Sequence, residues 1–184
     1  LNKNDLFFLF YPLNNIILVI LNTINVLTRM DKKYILSVKN LKKIYPNKQT
    51  GDTHALNNLN LDVKEGEIFG LLGPNGAGKT TFINIVAGTV IKTAGQVNVY
   101  GFDLDKNPRQ VRASVGIVPQ EINLDPFFSP RKLLELQAGL YGIKEKDRIT
   151  DTILELVSLE KQASSYARSL SGGMKRRLLM AKAL

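Results

Sequence analysis

Gly73, Gly78, Lys79 and Thr80 fall at the spacing G-x-x-x-x-G-K-[ST] within the run Gly73 to Thr81, GPNGAGKTT. That spacing is the signature of a loop that cradles phosphate. A nucleoside triphosphate carries several negative charges, and the start of a helix offers unpaired N–H groups with a positive partial charge. Glycines let those N–H groups turn inward without a Cβ clash. Lys79 can then reach the β/γ-phosphates, and the Thr80 hydroxyl is a hard oxygen suited to Mg²⁺. Pro74, Asn75, Gly76, Ala77 and Thr81 complete the loop and are counted with it as nucleotide-binding residues. The chemistry predicted here is binding of a nucleoside triphosphate with Mg²⁺.

The flanking segments suit that role. Glu67 to Leu72, EIFGLL, is a short apolar run fit for a buried parallel strand. Thr80 to Ala87 reads as a helix with Phe82, Ile83, Ile85 and Val86 apolar. Upstream, Tyr34 to Tyr45 predicts a strand, and Leu59, Leu61 and Val63 alternate with polar residues as a half-buried strand does. Lys64 to Gly66 is a turn returning the chain to the phosphate loop. Gln96 to Tyr100 and Ser114 to Val118 are further short strands, separated by a helix over about 108–114 that begins at Asn107-Pro108. Ser129-Pro130 repeats that cap-then-proline signal ahead of a helix to about Tyr141. A second helix is expected from about Glu145 to Leu159, with Ile149, Ile153, Leu156 and Val157 on one face.

Composition bounds the function classes. With 184 residues, 44% hydrophobic and 22% charged, the chain can bury one ordinary core. There is no cysteine, so disulfides and thiol chemistry are excluded. The formal charge of +9 favours polyanionic partners, but the basic residues stand in ones, twos and threes, as on a solvated surface. Residues 1–29 are rich in Leu, Ile and Phe, yet Pro12, Asn14, Asn15, Asn22 and Asn25 interrupt them, which argues against a spanning helix. They read as translated upstream sequence ahead of Met30; a membrane anchor or an ordered part of the domain are the alternatives.

A second helix start adds weight. Leu170 to Met174 reads LSGGM and precedes KRRLLMAKAL; Ser171 is a good N-cap, and Gly172 and Gly173 permit close backbone approach. In this order, and with Gln120 closing the strand GIVPQ between the two glycine motifs, residues 30–184 resemble the ATP-binding subunits of ABC transporters. GPNGAGKTT matches Walker A, Gln120 the Q-loop glutamine, and LSGGM the signature motif, with Met174 where the family usually has Gln. Tyr45 matches the aromatic residue that stacks on adenine. SGGMKRRL and VPQE look like the branch that serves an exporter or ABC-2 type permease.

The resemblance implies an α/β fold: a P-loop NTPase core over residues 30–120 with an antiparallel β portion, a helical subdomain over 121–170, and the signature helix over 171–184. It implies catalytic roles for Lys79 and Gln120, Mg²⁺ contact by Thr80 and Gln120, and nucleotide contact by Tyr45 and, across a head-to-tail dimer, by Ser171, Gly172 and Gly173. A transmembrane permease subunit and a second ATP-binding subunit are the implied partners, at the cytoplasmic face of a membrane. Family members continue into a Walker B strand with its aspartate, a catalytic glutamate and a switch histidine. None of these is found here, so the C-terminal part of the core is expected to be missing and hydrolysis by this stretch alone negligible. His54 precedes Walker A, cannot be that histidine, and reads as a loop residue. Two other readings stay open: an ABC-type ATPase acting on nucleic acid, and a nucleotide-binding module that does not hydrolyse. Only 50 residues separate Gln120 from Leu170, too few for a long coiled-coil arm, which argues against nucleic acid.

Overall fold

The computed structural model describes residues 18–21 and 34–184. The expectations for the remaining residues of the first 29 lie outside the described residues. Strand β1 is Leu18–Leu21. From Tyr34 on the chain divides into two compact units, one ending at Val115 and the other running Gly116–Leu184.

The first unit is built on an antiparallel sheet. Strand β2 (Leu36–Tyr45) is paired on one side with β3 (Thr53–Val63) and on the other with β4 (Ala94–Val99), and the short β5 (Phe102–Asp103) adds to β4. Leu36 sits opposite Val63 in β3 and Val99 in β4; Val38 sits opposite Leu61 and Val97. Because side chains alternate along a strand, this register sends Leu36, Val38, Val63, Val97 and Val99 to the buried side together. The β2–β3 hairpin is closed by Asn47, whose side-chain oxygen accepts from the N–H groups of Gln49 (2.9 Å) and Thr50 (3.1 Å). That hairpin brings β3 in at Thr53, earlier than alternation alone suggests, so His54 is a strand residue opposite Ile44 rather than part of a loop. The two-residue β5 had no sequence signal.

Helix α1 (Lys79–Val86) packs beside β3, burying Phe82, Ile85 and Val86 at helical spacing. Helix α2 (Pro108–Ala113) lies against β5 and buries Val111. Its proline stands at the first turn as expected, but the Asn107 side chain makes no cap bond. The largest correction concerns Glu67 to Leu72. The segment is neither helix nor strand, and Ile68 and Leu72 are 66% and 85% exposed. A strand exists only through its ladder, and among the described residues none pairs with EIFGLL.

The second unit opens in strand β6 (Val115–Val118) and is otherwise helical. Helix α3 (Pro130–Leu140) is capped by Ser129, whose hydroxyl accepts from the Lys132 N–H at 3.3 Å. The single helix expected over 145–159 is instead a 3₁₀ turn at Glu145–Asp147, helix α4 (Thr150–Leu156) and a second 3₁₀ turn at Glu160–Gln162. Ser158, at φ +52°, turns the chain out of α4. A further 3₁₀ turn, Ala167–Ser169, leads into helix α5 (Gly172–Lys182). Leu133 and Leu134 from α3, Leu154 from α4 and Leu178 from α5 share one core. Such side chains each contribute roughly 1.5–3 kcal/mol when fully buried.

A polar cluster ties α3 to α4. The Glu135 carboxylate accepts from the Thr150 hydroxyl and from the Arg148 guanidinium at 2.5 Å. The Thr150 bond first, and the Arg148 bond next, hold the Glu135 carboxyl below the usual carboxylate range. Asp151 is likewise lowered by its bond from Arg131. A carboxylate whose folded value is lowered contributes stability that is fully present above its unfolded value, near 4.5, and lost as pH falls through the folded value. Thermal melting of wild type and Glu135→Gln should therefore differ at pH 7, and the difference should shrink steadily below pH 4. A gap unchanged between pH 7 and pH 3 would show that the charge of Glu135 contributes nothing.

Candidate functional site

The phosphate loop is a turn held by its own backbone. The Lys79 ammonium donates to the carbonyl oxygens of Gly73 (2.6 Å) and Pro74 (2.8 Å), and the Ala77 N–H donates to Pro74 at 3.2 Å. The cation is thus folded back over the loop it belongs to, beside the backbone that the sequence assigns to phosphate. Helix α1 carries no side-chain cap and no acidic residue in its first turn. Its ladder starts with the Phe82 N–H to Gly78 at 2.9 Å, so the N–H groups of Lys79, Thr80 and Thr81 precede the first helical bond. Thr80, the next residue along the chain, is exposed in that turn. Charge sign, dipole direction and hydroxyl placement together form an anion-receptive helix start.

Gly78 permits this geometry for two separate reasons. Its φ of +86° lies in the left-handed region, and a Cβ there would fall on the Ala55 carbonyl oxygen and within 2.9 Å of Leu56 Cδ2. The turn can enter α1 only by passing against β3 without a side chain.

Tyr45 ends β2 opposite Thr53 and is 40% exposed, with the Lys43 ammonium 4.6 Å from its ring centroid. It belongs, with the phosphate loop, to the first unit. Gln120 stands exposed two residues past the end of β6 in the second unit. Ser171, Gly172 and Gly173 are also in that unit, at the exposed start of α5. Ser171 is its N-cap, accepting from the Met174 N–H at 3.3 Å. The two glycines there follow a different logic from Gly78. Neither has positive φ, and an added Cβ at either meets nothing within 4 Å. Glycine in a helix interior costs about 1 kcal/mol relative to Ala, and among the described residues nothing packs where a side chain at either position would lie.

The surroundings of several residues gave no sequence signal. Met174, in place of the family's usual Gln, packs partly buried against the helical core with Leu124 and Ile153. Arg177 reaches carbonyls 20 and 19 residues away, a contact that no local pattern announces. A cavity of about 480 Å³ lined by Lys132, Glu135, Leu136, Gly139, Leu140 and Arg148 shares no residue with either glycine motif. No helix among the described residues is long and apolar enough to cross a membrane.

Comparison with known proteins identifies the family. The family model described as ABC transporter matches residues 56–184. The chain is similar to Nod factor export ATP-binding protein I of Cupriavidus pinatubonensis, 39% identical over 158 residues, spanning 85% of this chain and 48% of the relative. It therefore covers about half the length of such curated relatives. Its fold resembles cbiO1 from Clostridium perfringens, described as part of the ABC transporter complex cbiONQ, with a TM-score of 0.68 at 30% identity over 83% of this chain and 61% of that one. It also resembles an ATP-binding cassette solved as a dimer in a post-hydrolysis state with ADP and Pi, with a TM-score of 0.64 at 27% identity over 81% and 68%.

Substituting Gly78→Ala should cost at least about 2 kcal/mol, combining left-handed strain with overpacking against β3. Chemical denaturation would read it, and a loss below about 0.5 kcal/mol would show that the turn can relax elsewhere.

Proposed function

The chain belongs to the ABC transporter family, and from that premise we propose that it is the ATP-binding subunit of an exporter. In this reading it binds MgATP at the phosphate loop, and the intact protein couples hydrolysis to movement of a substrate across a membrane. The observation that carries the reading is the Lys79 ammonium lodged on the loop carbonyls at a helix start without a side-chain acceptor. Triphosphate entering the loop exchanges those neutral acceptors for charged oxygens. Lys79 then offsets charge on the γ-phosphoryl group, the main route by which proteins accelerate phosphoryl transfer. The Thr80 hydroxyl is an oxygen donor of the kind Mg²⁺ prefers. Gln120 takes the family's role, contact with Mg²⁺ or the attacking water, on its sequence position alone. Tyr45, with an exposed ring at a strand end, is assigned to adenine.

The unexplained glycines of α5 support a head-to-tail pairing. If a partner's phosphates lie against Gly172 and Gly173, the absence of side chains serves that approach and not the chain's own packing. Residues 30–120, 121–170 and 171–184 would then act as core, helical subdomain and signature helix. A permease subunit would hold the assembly peripherally at the cytoplasmic face of the membrane and select the substrate. The exporter assignment rests on the branch-like motifs SGGMKRRL and VPQE and on the export protein the chain is similar to.

Calorimetry should show that Lys79→Ala weakens MgATP binding at least tenfold, or about 1.4 kcal/mol; equal affinities would overturn the assignment of the loop. A separate outcome is expected for Gly172→Ala and Gly173→Ala. Each should leave the isolated chain as stable or more stable, by up to about 1 kcal/mol, while lowering ATP turnover of the intact protein. Turnover unaffected by either change would remove the case for pairing through α5.

A further inference from the structure

Helix α5 begins with its weakest turn. Ser171, Gly172 and Gly173 are exposed, and two of the three are glycine, while the burial that holds the helix comes later, at Leu178, Leu179 and Ala181. Burial alone restrains the far end of α5 better than the end that carries the motif. Between the two lies Arg177, partly buried, whose guanidinium donates from one nitrogen to the carbonyl oxygens of Val157 (2.7 Å) and Ser158 (2.9 Å). Those carbonyls close α4: Val157 is its C-cap, and the chain turns away through Ser158. The end of a helix exposes unpaired carbonyls and a negative partial charge, so a guanidinium there meets both needs at once.

We propose that Arg177 is a positioning residue for the Ser171-Gly172-Gly173 helix start, fixing its direction by latching α5 to the end of α4. Met174 and Arg177 are three residues apart and so share a face of α5. Met174 sets that face against the core with Ile153, and Arg177 pins its polar edge to two fixed acceptors. A slip of one residue along α5 is a rotation of about 100°, which would carry Arg177 off both carbonyls. The roll of the helix, and with it the aim of the Ser171 hydroxyl and the glycine N–H groups, follows from this bond pair. Arg177 acts at a distance from the helix start, with its Nη1 engaged by two protein carbonyls about 9 Å along the axis from the N-cap.

The inference rests on the proposed phosphate contact by the α5 start, and the test separates the two. In the intact protein, Arg177→Met should lower kcat for ATP at least about tenfold, while MgATP affinity of the monomer at its phosphate loop stays within about twofold. Arg177→Lys, which keeps one charged donor, should recover part of kcat. A kcat for Arg177→Met within about twofold of wild type, or a deficit that vanishes at a lower temperature where the variant is fully folded, would overturn the proposal. Should Arg177→Met not fold, Arg177→Lys decides: lowered kcat with unchanged monomer affinity supports positioning, and unchanged kcat overturns it. Ser171→Glu places a carboxylate where phosphate would lie. If that variant is inactive while Arg177→Met is not, this inference alone fails. If Ser171→Glu turns over ATP normally, the phosphate contact by α5 fails, and this inference with it.

Discussion

The tight passage of Gly78 against β3 is the constraint on which the first unit depends. A loop can present a row of N–H groups to phosphate only if the chain turns sharply and then commits to a helix. Here the turn needs a left-handed residue and, at the same position, room for a backbone to lie on the Ala55 carbonyl. The hairpin closed by Asn47 places β3, β3 sets where α1 can begin, and α1 carries Lys79 and Thr80 at its first turn. The ammonium then bonds back to the loop that made the turn. Helix start and cation position both depend on this one close approach.

The two glycine motifs answer to different demands, and the contrast bears on function. At Gly78 both the backbone angle and the neighbouring strand forbid a side chain, so folding of this unit accounts for the residue. At Gly172 and Gly173 neither demand exists, and helix propensity opposes them. The second unit anchors α5 elsewhere, through buried Leu178 and Leu179, Met174 packed against the helical core and Arg177 on the end of α4.

The strands around Tyr34 to Tyr45, Leu59 to Val63 and Gln96 to Tyr100 and both glycine-led helices were legible because each has a local signal: a two-residue period, a cap or a fixed motif spacing. The α/β class and the antiparallel pairing were instead implied by the family resemblance. Ser129 and Ser171 cap as their sequence context indicates. Asn107 does not: its backbone, at φ −127° and ψ 50°, lies outside the extended conformation that Ser129 and Ser171 adopt as N-caps. The helix expected over 145–159 is broken because Thr150 and Arg148 turn toward Glu135, a partner 15 and 13 residues away that periodicity does not register. His54 was misplaced for a similar reason: the hairpin loop closes earlier than its polar composition suggests.

What the sequence determined by itself is short-range: residue types at a fixed spacing that suit phosphate, a hydroxyl next in sequence to the lysine, and a second glycine-led helix start. Such information is local, since a phosphate loop needs only nine consecutive residues to be recognised. What the tertiary structure alone decided is which groups are held and by what. It put the Lys79 ammonium on its loop carbonyls, turned Met174 into the helical core, and joined Arg177 to Val157 and Ser158. It also left EIFGLL without a ladder, although its composition is that of a buried strand. The physical reason is the same throughout. Hydrogen-bond partners and packing neighbours distant along the chain are selected by folding, and no periodicity or propensity within a short window encodes them.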